Sequence, residues 1–286
     1  MRLTIPITRD TTTPFREVVV FAGLTIALSW LFWVPGAYLQ GSSRSTFSDL
    51  LLAIGSFVPL AVAIFLEIWL RQSTLSPMNW FKTLSVANIL LALLLPIIIL
   101  LPVFMLRFYQ STLNVGQLLI DFVSMGLSII GIFILSLAEE IGWRAYLLPR
   151  LGAIPVFVVN FFVGLLWFLW QLPIILAGRY NESESFNGYL LAMFLFALLV
   201  TSFLNRLALR ARYNPILPAL MRAGLTIITA IYFAQGRADP LTDTFGLLTI
   251  AWLFILNILL FSQLWQGKKP PHQITELERV MPLEVN

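Results

Sequence analysis

"LLALLLPIIILLPVFML", residues 90–106, decides the fold class of this chain. Every face of a helix built from it is apolar, which suits immersion in lipid better than the surface of a soluble domain. Its length approaches the roughly 20 apolar residues that a bilayer crossing needs. The rest of the chain has the same character: 59% of the 286 residues are hydrophobic and 11% are charged. Soluble domains carry about 25% charged residues, and the mean hydropathy of +0.88 agrees. An all-α, polytopic membrane protein is the expectation. Eight spans are expected, over 17–39, 50–70, 84–106, 117–138, 154–177, 188–209, 216–234 and 244–265.

Pro35, Pro59, Pro96, Pro102, Pro173 and Pro218 fall in or near these spans. Membrane helices tolerate such kinks where neighbours re-satisfy the freed backbone groups. The connections are short, so no soluble domain fits between spans, and no repeat of fixed period is evident. The chain is expected to divide into a cytoplasmic segment over 1–16, a transmembrane domain over 17–265 and a polar cytoplasmic tail over 266–286. The opening "MRLTIPITRDTTTPFRE" lacks an apolar core and a small-residue cleavage site, so no removable signal peptide is expected.

Orientation follows from the basic residues on alternate sides. One side collects Arg2, Arg9, Arg16, Arg71, Lys82, Arg144, Arg150, Arg206, Arg210, Arg212, Lys268, Lys269 and Arg279. The other holds Arg44, Arg107, Arg179 and Arg237, with Arg222 left inside a span. The excess places both termini in the cytoplasm and the acidic "NESESF" loop outside. A net charge of +4 then reflects loops that face lipid headgroups, among them the basic "RLALRAR", rather than nucleic-acid binding. A bacterial-type plasma membrane is the expected location. The absence of cysteine excludes disulfides, iron–sulfur clusters and thiol catalysis. His272, the one histidine, lies in the polar tail, which removes the usual ligand of a catalytic metal.

Against this apolar background stands "SLAEEIGWRAYLLPRL", residues 136–151. Glu140 and Arg144 are four apart with the acid N-terminal, the favoured order for a helical ion pair. Glu139 is rotated from Glu140 by about 100°. Two carboxylates in an apolar site repel, and burial disfavours both charges. Such a pair can activate water as a general base, relay a proton, or anchor a helix end as an ion cluster. Intramembrane ionisable groups are functional by default.

"EEIGWRAYLLPRL" resembles the EExxxR motif of the CPBP intramembrane proteases, a family that includes the CAAX prenyl endopeptidases and the bacterial Abi proteins of bacteriocin immunity. "GLLWFLWQLPIIL", residues 164–176, resembles the second motif, where a histidine precedes "LP". "NRLALRARYNPILPALMRAGLT", residues 205–226, resembles the third, where a histidine precedes an Asn or Asp. The likeness covers about 120–230, the CPBP-like core, and implies a CAAX-protease-like bundle. It further implies an endopeptidase in which Glu139 and Glu140 activate water while Arg144 orients them. Both histidines are replaced, the first by Gln171 and the second by Arg222, and Thr226 stands at the Asn or Asp position. The divalent metal usually proposed for the family loses its imidazole ligands. Glutamine binds zinc poorly and arginine stays protonated, so no cofactor and no metal is expected.

An unpaired arginine deep in a span costs about 2.5–3.5 kcal/mol on insertion scales. Arg222 is therefore expected to reach the glutamates, bridge a carboxylate in bidentate fashion, and make both acids poorer proton acceptors. That reading gives a degenerate peptidase or a pseudoenzyme. The alternatives are a scaffold that binds a membrane protein, a lipid-linked peptide or lipids, and, further off, a carrier. Trp143, Trp167 and Trp170 are read as packing residues or interface anchors rather than a substrate cage. Asn160 is expected to hydrogen-bond across helices. Glu67 and Arg71 read as an interfacial i,i+4 pair.

Overall fold

Helix α4, Val86–Tyr109, contains the stretch that set the fold class. Ser85 caps it: its extended backbone ends the preceding turn, and its hydroxyl accepts from the Asn88 N–H at 3.2 Å. Along α4, Ala92, Leu95, Ile99 and Val103 are buried, whereas Leu93, Leu94, Ile97 and Leu101 lie 42–50% exposed. A helix with an apolar buried face and an equally apolar outer face is built for hydrocarbon on the outside.

The computed structural model describes residues 13–42, 46–70, 75, 77–110, 114–152, 154–176, 186–234 and 246–265. Among them every regular element is helical. Around α4 run α1 (Thr13–Ser42), α2 (Thr46–Trp69), the short α3 (Pro77–Lys82), α5 (Val115–Met125) and α6 (Ser128–Glu140). A π-helical segment (Ile141–Leu147) and α7 (Leu148–Arg150) continue α6 without a break, and α8 (Val156–Leu176), α9 (Phe186–Arg210), α10 (Ile216–Ala234) and α11 (Leu247–Trp265) follow. The segment 1–12, Arg71, most of the acidic loop and the tail with His272 lie outside the described residues.

Five helices, over Phe15–Leu39, Thr46–Trp69, Val86–Leu106, Val156–Leu176 and Leu190–Arg210, are long and apolar enough to cross a membrane. The chain is thus a multi-pass helical membrane bundle. The expected span 117–138 is not one straight helix: α5 and the α6–α7 run meet at 73°. Gly126 makes the corner. Its φ of +47° is a left-handed conformation that a side chain disfavours, and α5 ends on it. Counting the bent pair as one span gives six; the apolar parts of α10 and α11, Ile216–Ile231 and Leu247–Leu260, are shorter.

Helix α6 and its π continuation sit at the centre. α6 packs on α2 and α10, the π segment on α2 and α9, while α10 also packs on α4 and α9. Gly142 permits the approach of the π segment to α2: a Cβ there would come within 2.8 Å of the Pro59 backbone carbonyl. α1 closes the far side against α2 and α8. Its contact is aromatic, with Trp33 against Trp170 at 4.4 Å and Phe21 edge-on to Trp143 at 5.6 Å.

Candidate functional site

Glu139 and Glu140 close α6, and Arg144 sits in the middle of the π segment. The spacing anticipates a regular helix here. Instead seven residues adopt the i→i+5 ladder, a geometry that is rare and frequent at functional positions. Continuing through to Arg150, the element carries the two glutamates at mid-length rather than near its end.

Glu140 and Arg144 have fully buried side chains. Arg144 Nη1 lies 3.0 Å from Glu140 Oε2 and donates to Oε1 at 3.1 Å. Nε of the same guanidinium donates to Asn205 Oδ1 on α9 at 3.3 Å. Asn205 in turn donates through Nδ2 to Asn160 Oδ1 on α8 at 2.9 Å. The cross-helix bond expected of Asn160 is present, and its partner Asn205 ties it to the charge cluster. Buried polar networks of this kind rigidify when their members are satisfied.

From α10, Arg222 closes the other side. Its Nη1 is in ion-pair contact with Glu139 Oε2 and lies 3.6 Å from Glu140 Oε1. One nitrogen spans the two carboxylates, so the contact is a bridge and not the two-pronged fork expected from bidentate geometry. The guanidinium carbon stands 5.0 Å from the Trp167 ring centre and 5.9 Å from that of Trp170, within cation–π range. Two acids and two bases, formally neutral, therefore occupy the junction of α6, the π segment and α10.

Gln171 and Thr226 lie beside this cluster and not in it. Together with Arg222 and Trp167 they line a cavity of about 320 Å³ between α8, α9 and α10. Trp143 and Trp170 are fully buried. Trp170 donates through Nε1 to Ser29 Oγ at 2.7 Å, and Ser29 donates to the Gly55 carbonyl at 2.9 Å. These two tryptophans tie α8 and the π segment to α1 and α2.

A second charge cluster went unread in the sequence. Arg150 pairs with Glu17 of α1 at 2.7 Å and with Glu67 of α2 at 3.2 Å. It also donates to the Tyr146 carbonyl at 2.7 Å, with its guanidinium 3.5 Å above the Tyr146 ring. The expected Glu67–Arg71 pair involves a residue outside the described ones; the acid is held by Arg150. Arg150, eleven positions after Glu139, has no helical-spacing partner, so periodicity gives no signal for it. Asn205 does carry a signal, since an amide inside an apolar span needs a partner.

Among the described residues no three His, Cys, Asp or Glu side chains come together as a metal site. The two carboxylates that do converge hold Arg222 between them, so a dication there would meet a guanidinium. This donor set does not fit the divalent metal that the resemblance implies. Comparison with protein-family models gives no match to the sequence, and comparison with curated proteins gives none either.

Proposed function

We propose that this chain is an intramembrane relative of the CPBP endopeptidases in which the acidic pair no longer hydrolyses peptides and the neighbouring cavity serves as a membrane binding site. A single observation carries the reading: Arg222 makes contact with Glu139 and stands 3.6 Å from Glu140, on the side opposite Arg144. A general base must accept a proton from water. Carboxylates flanked by two guanidiniums are stabilised in their charged form and give that up reluctantly. Gln171 and Thr226, which replace the family's histidine and Asn or Asp, line the cavity beside Arg222 and can hydrogen-bond a guest.

In the membrane, the five long helices, the bent pair and the shorter α10 and α11 give eight crossings in this reading. The excess of Lys and Arg on one set of loops supports cytoplasmic termini, and a bacterial-type plasma membrane suits that arrangement. A peptidase assay on the purified full-length protein tests the reading, with Gln171→His/Arg222→His alongside. Wild type is expected to leave model peptides intact. Cleavage by wild type that disappears in Glu139→Gln overturns the proposal and returns the site to general-base hydrolysis, with Glu139 as base, Glu140 and Arg144 in support and the Gln171 amide facing the oxyanion.

A further inference from the structure

The cavity between α8, α9 and α10 carries a signal of its own in Trp167. This side chain is 7% exposed, yet its indole N–H has no hydrogen-bond partner. Buried donors are nearly always paired. Other indoles of the bundle obey that rule: Trp30, Trp33, Trp170 and Trp252 donate at 3.0, 2.8, 2.7 and 2.8 Å. Trp143 is also unpaired, but it is no part of the cavity wall, whereas Trp167 is. Next to it stands Arg222, 14% exposed and 5.0 Å from the same ring. Indole and guanidinium are donors only. A guest that completes this wall must bring hydrogen-bond acceptors.

Charge decides which acceptor. Glu139, Glu140, Arg144 and Arg222 already balance, so a carboxylate or phosphate guest would leave a buried negative charge without a counter-ion. An uncharged carbonyl accepts the same donors at no such cost. The remaining wall is apolar, with Phe168, Met193, Phe196 and Val200. At about 320 Å³ the cavity lies at the low end of the size class for small-molecule sites, suited to one hydrocarbon chain rather than two. Thr226 and Ala230 on its wall are exposed, so it opens along α10. Leu191 on α9 and Ile174 on α8 are exposed apolar residues on the adjoining helices, so the mouth opens beside a surface made for hydrocarbon.

From this juxtaposition we infer that the cavity binds an uncharged acyl ester, its carbonyl on Trp167 Nε1 and Arg222 and its chain against Phe168, Met193 and Phe196. The inference names the ligand class for the binding role proposed above and rests on that reading.

The test uses full-length protein in maltoside micelles and a monoacylglycerol carrying a mid-chain diazirine. The comparison probe is the free fatty acid with the same chain, kept ionised at alkaline pH. Photolabelling is expected on the α8 and α9 peptides that contain Phe168, Met193 and Phe196, and unlabelled monoacylglycerol should suppress it. Trp167→Phe keeps the ring and removes the N–H; the loss of one neutral hydrogen bond weakens labelling about five-fold. Thr226→Trp, at the exposed mouth, should block labelling in a protein whose unfolding midpoint is unchanged. Equal labelling of wild type and Trp167→Phe, stronger labelling by the ionised fatty acid, or labelling that competitor does not suppress overturns the inference. Peptide cleavage by the same preparation refutes the functional reading. A preparation that neither cleaves nor takes the ester refutes the ligand class alone.

Discussion

Replacing Arg144 with methionine removes a cation whose side chain, like that of its partner Glu140, has no solvent exposure. Solvent therefore screens neither the pair nor the penalty for breaking it. The substitution deletes the contacts at 3.0 and 3.1 Å to Glu140 and the donor to Asn205. What remains near Glu140 is Arg222 at 3.6 Å, already engaged by Glu139. Stranding one member of a buried pair costs about 3–5 kcal/mol, and the residual attraction of Arg222 argues for the lower end, about 3 kcal/mol. Removing both partners is far milder, because no uncompensated charge is left. Glu140→Gln/Arg144→Met should fall within about 1 kcal/mol of wild type, a coupling of about 2 kcal/mol. Equilibrium unfolding in mixed SDS–maltoside micelles, followed by tryptophan fluorescence, measures all the corners of the cycle. A cost below about 1 kcal/mol for the single variant, or a double variant as unstable as the single, would refute the claim that this ion pair is buried and mutually dependent.

Other perturbations probe separate joints of the bundle. Gly142→Ala drives a methyl into Pro59 and should destabilise by about 1–3 kcal/mol; unchanged unfolding would mean that α2 yields. Gly126→Ala should cost about 1 kcal/mol through its positive φ, and a stabilised variant would argue for a straight α5–α6 span. Asn160→Leu strands the Asn205 amide and should cost about 1–3 kcal/mol, mostly recovered in Asn160→Leu/Asn205→Leu; additive losses would exclude the mutual bond. Arg150→Met should cost about 3 kcal/mol, the low end for a buried pair, because its acids keep some exposure. No loss would show that α1 and α2 dock without it.

Which parts of this architecture were legible in the sequence depends on how local each signal is. The membrane class is written in α4, where both faces are apolar, and needs no tertiary knowledge. Glu140 and Arg144 announce one another through their spacing, and an arginine at position 222 announces its need for a carboxylate through the cost of burial. Asn160 announces an unnamed partner on the same logic. The corner at Gly126 is harder to see, since α5 and α6 are both apolar and hydropathy runs smoothly across them. The π ladder is invisible for a different reason: i→i+4 and i→i+5 backbones draw on the same residues, and packing of Gly142 on Pro59 is a long-range event. Glu17, Glu67 and Arg150 come from three elements far apart in the chain, so their meeting belongs to tertiary structure. Trp167 was read as packing, which fits its burial; the unpaired N–H only appears once its neighbours are known.

The widened ladder over Ile141–Leu147 also fixes the relation between the two charge centres. One residue more than a regular helix requires per turn rotates everything downstream by about 100°. Arg150 can therefore face α1 and α2 while Arg144 looks towards α9, although both extend from one continuous rod. Excising a single residue from this run would give a tidier backbone and aim Arg150 at the wrong neighbours, so the irregularity serves as a phase setting for all that follows.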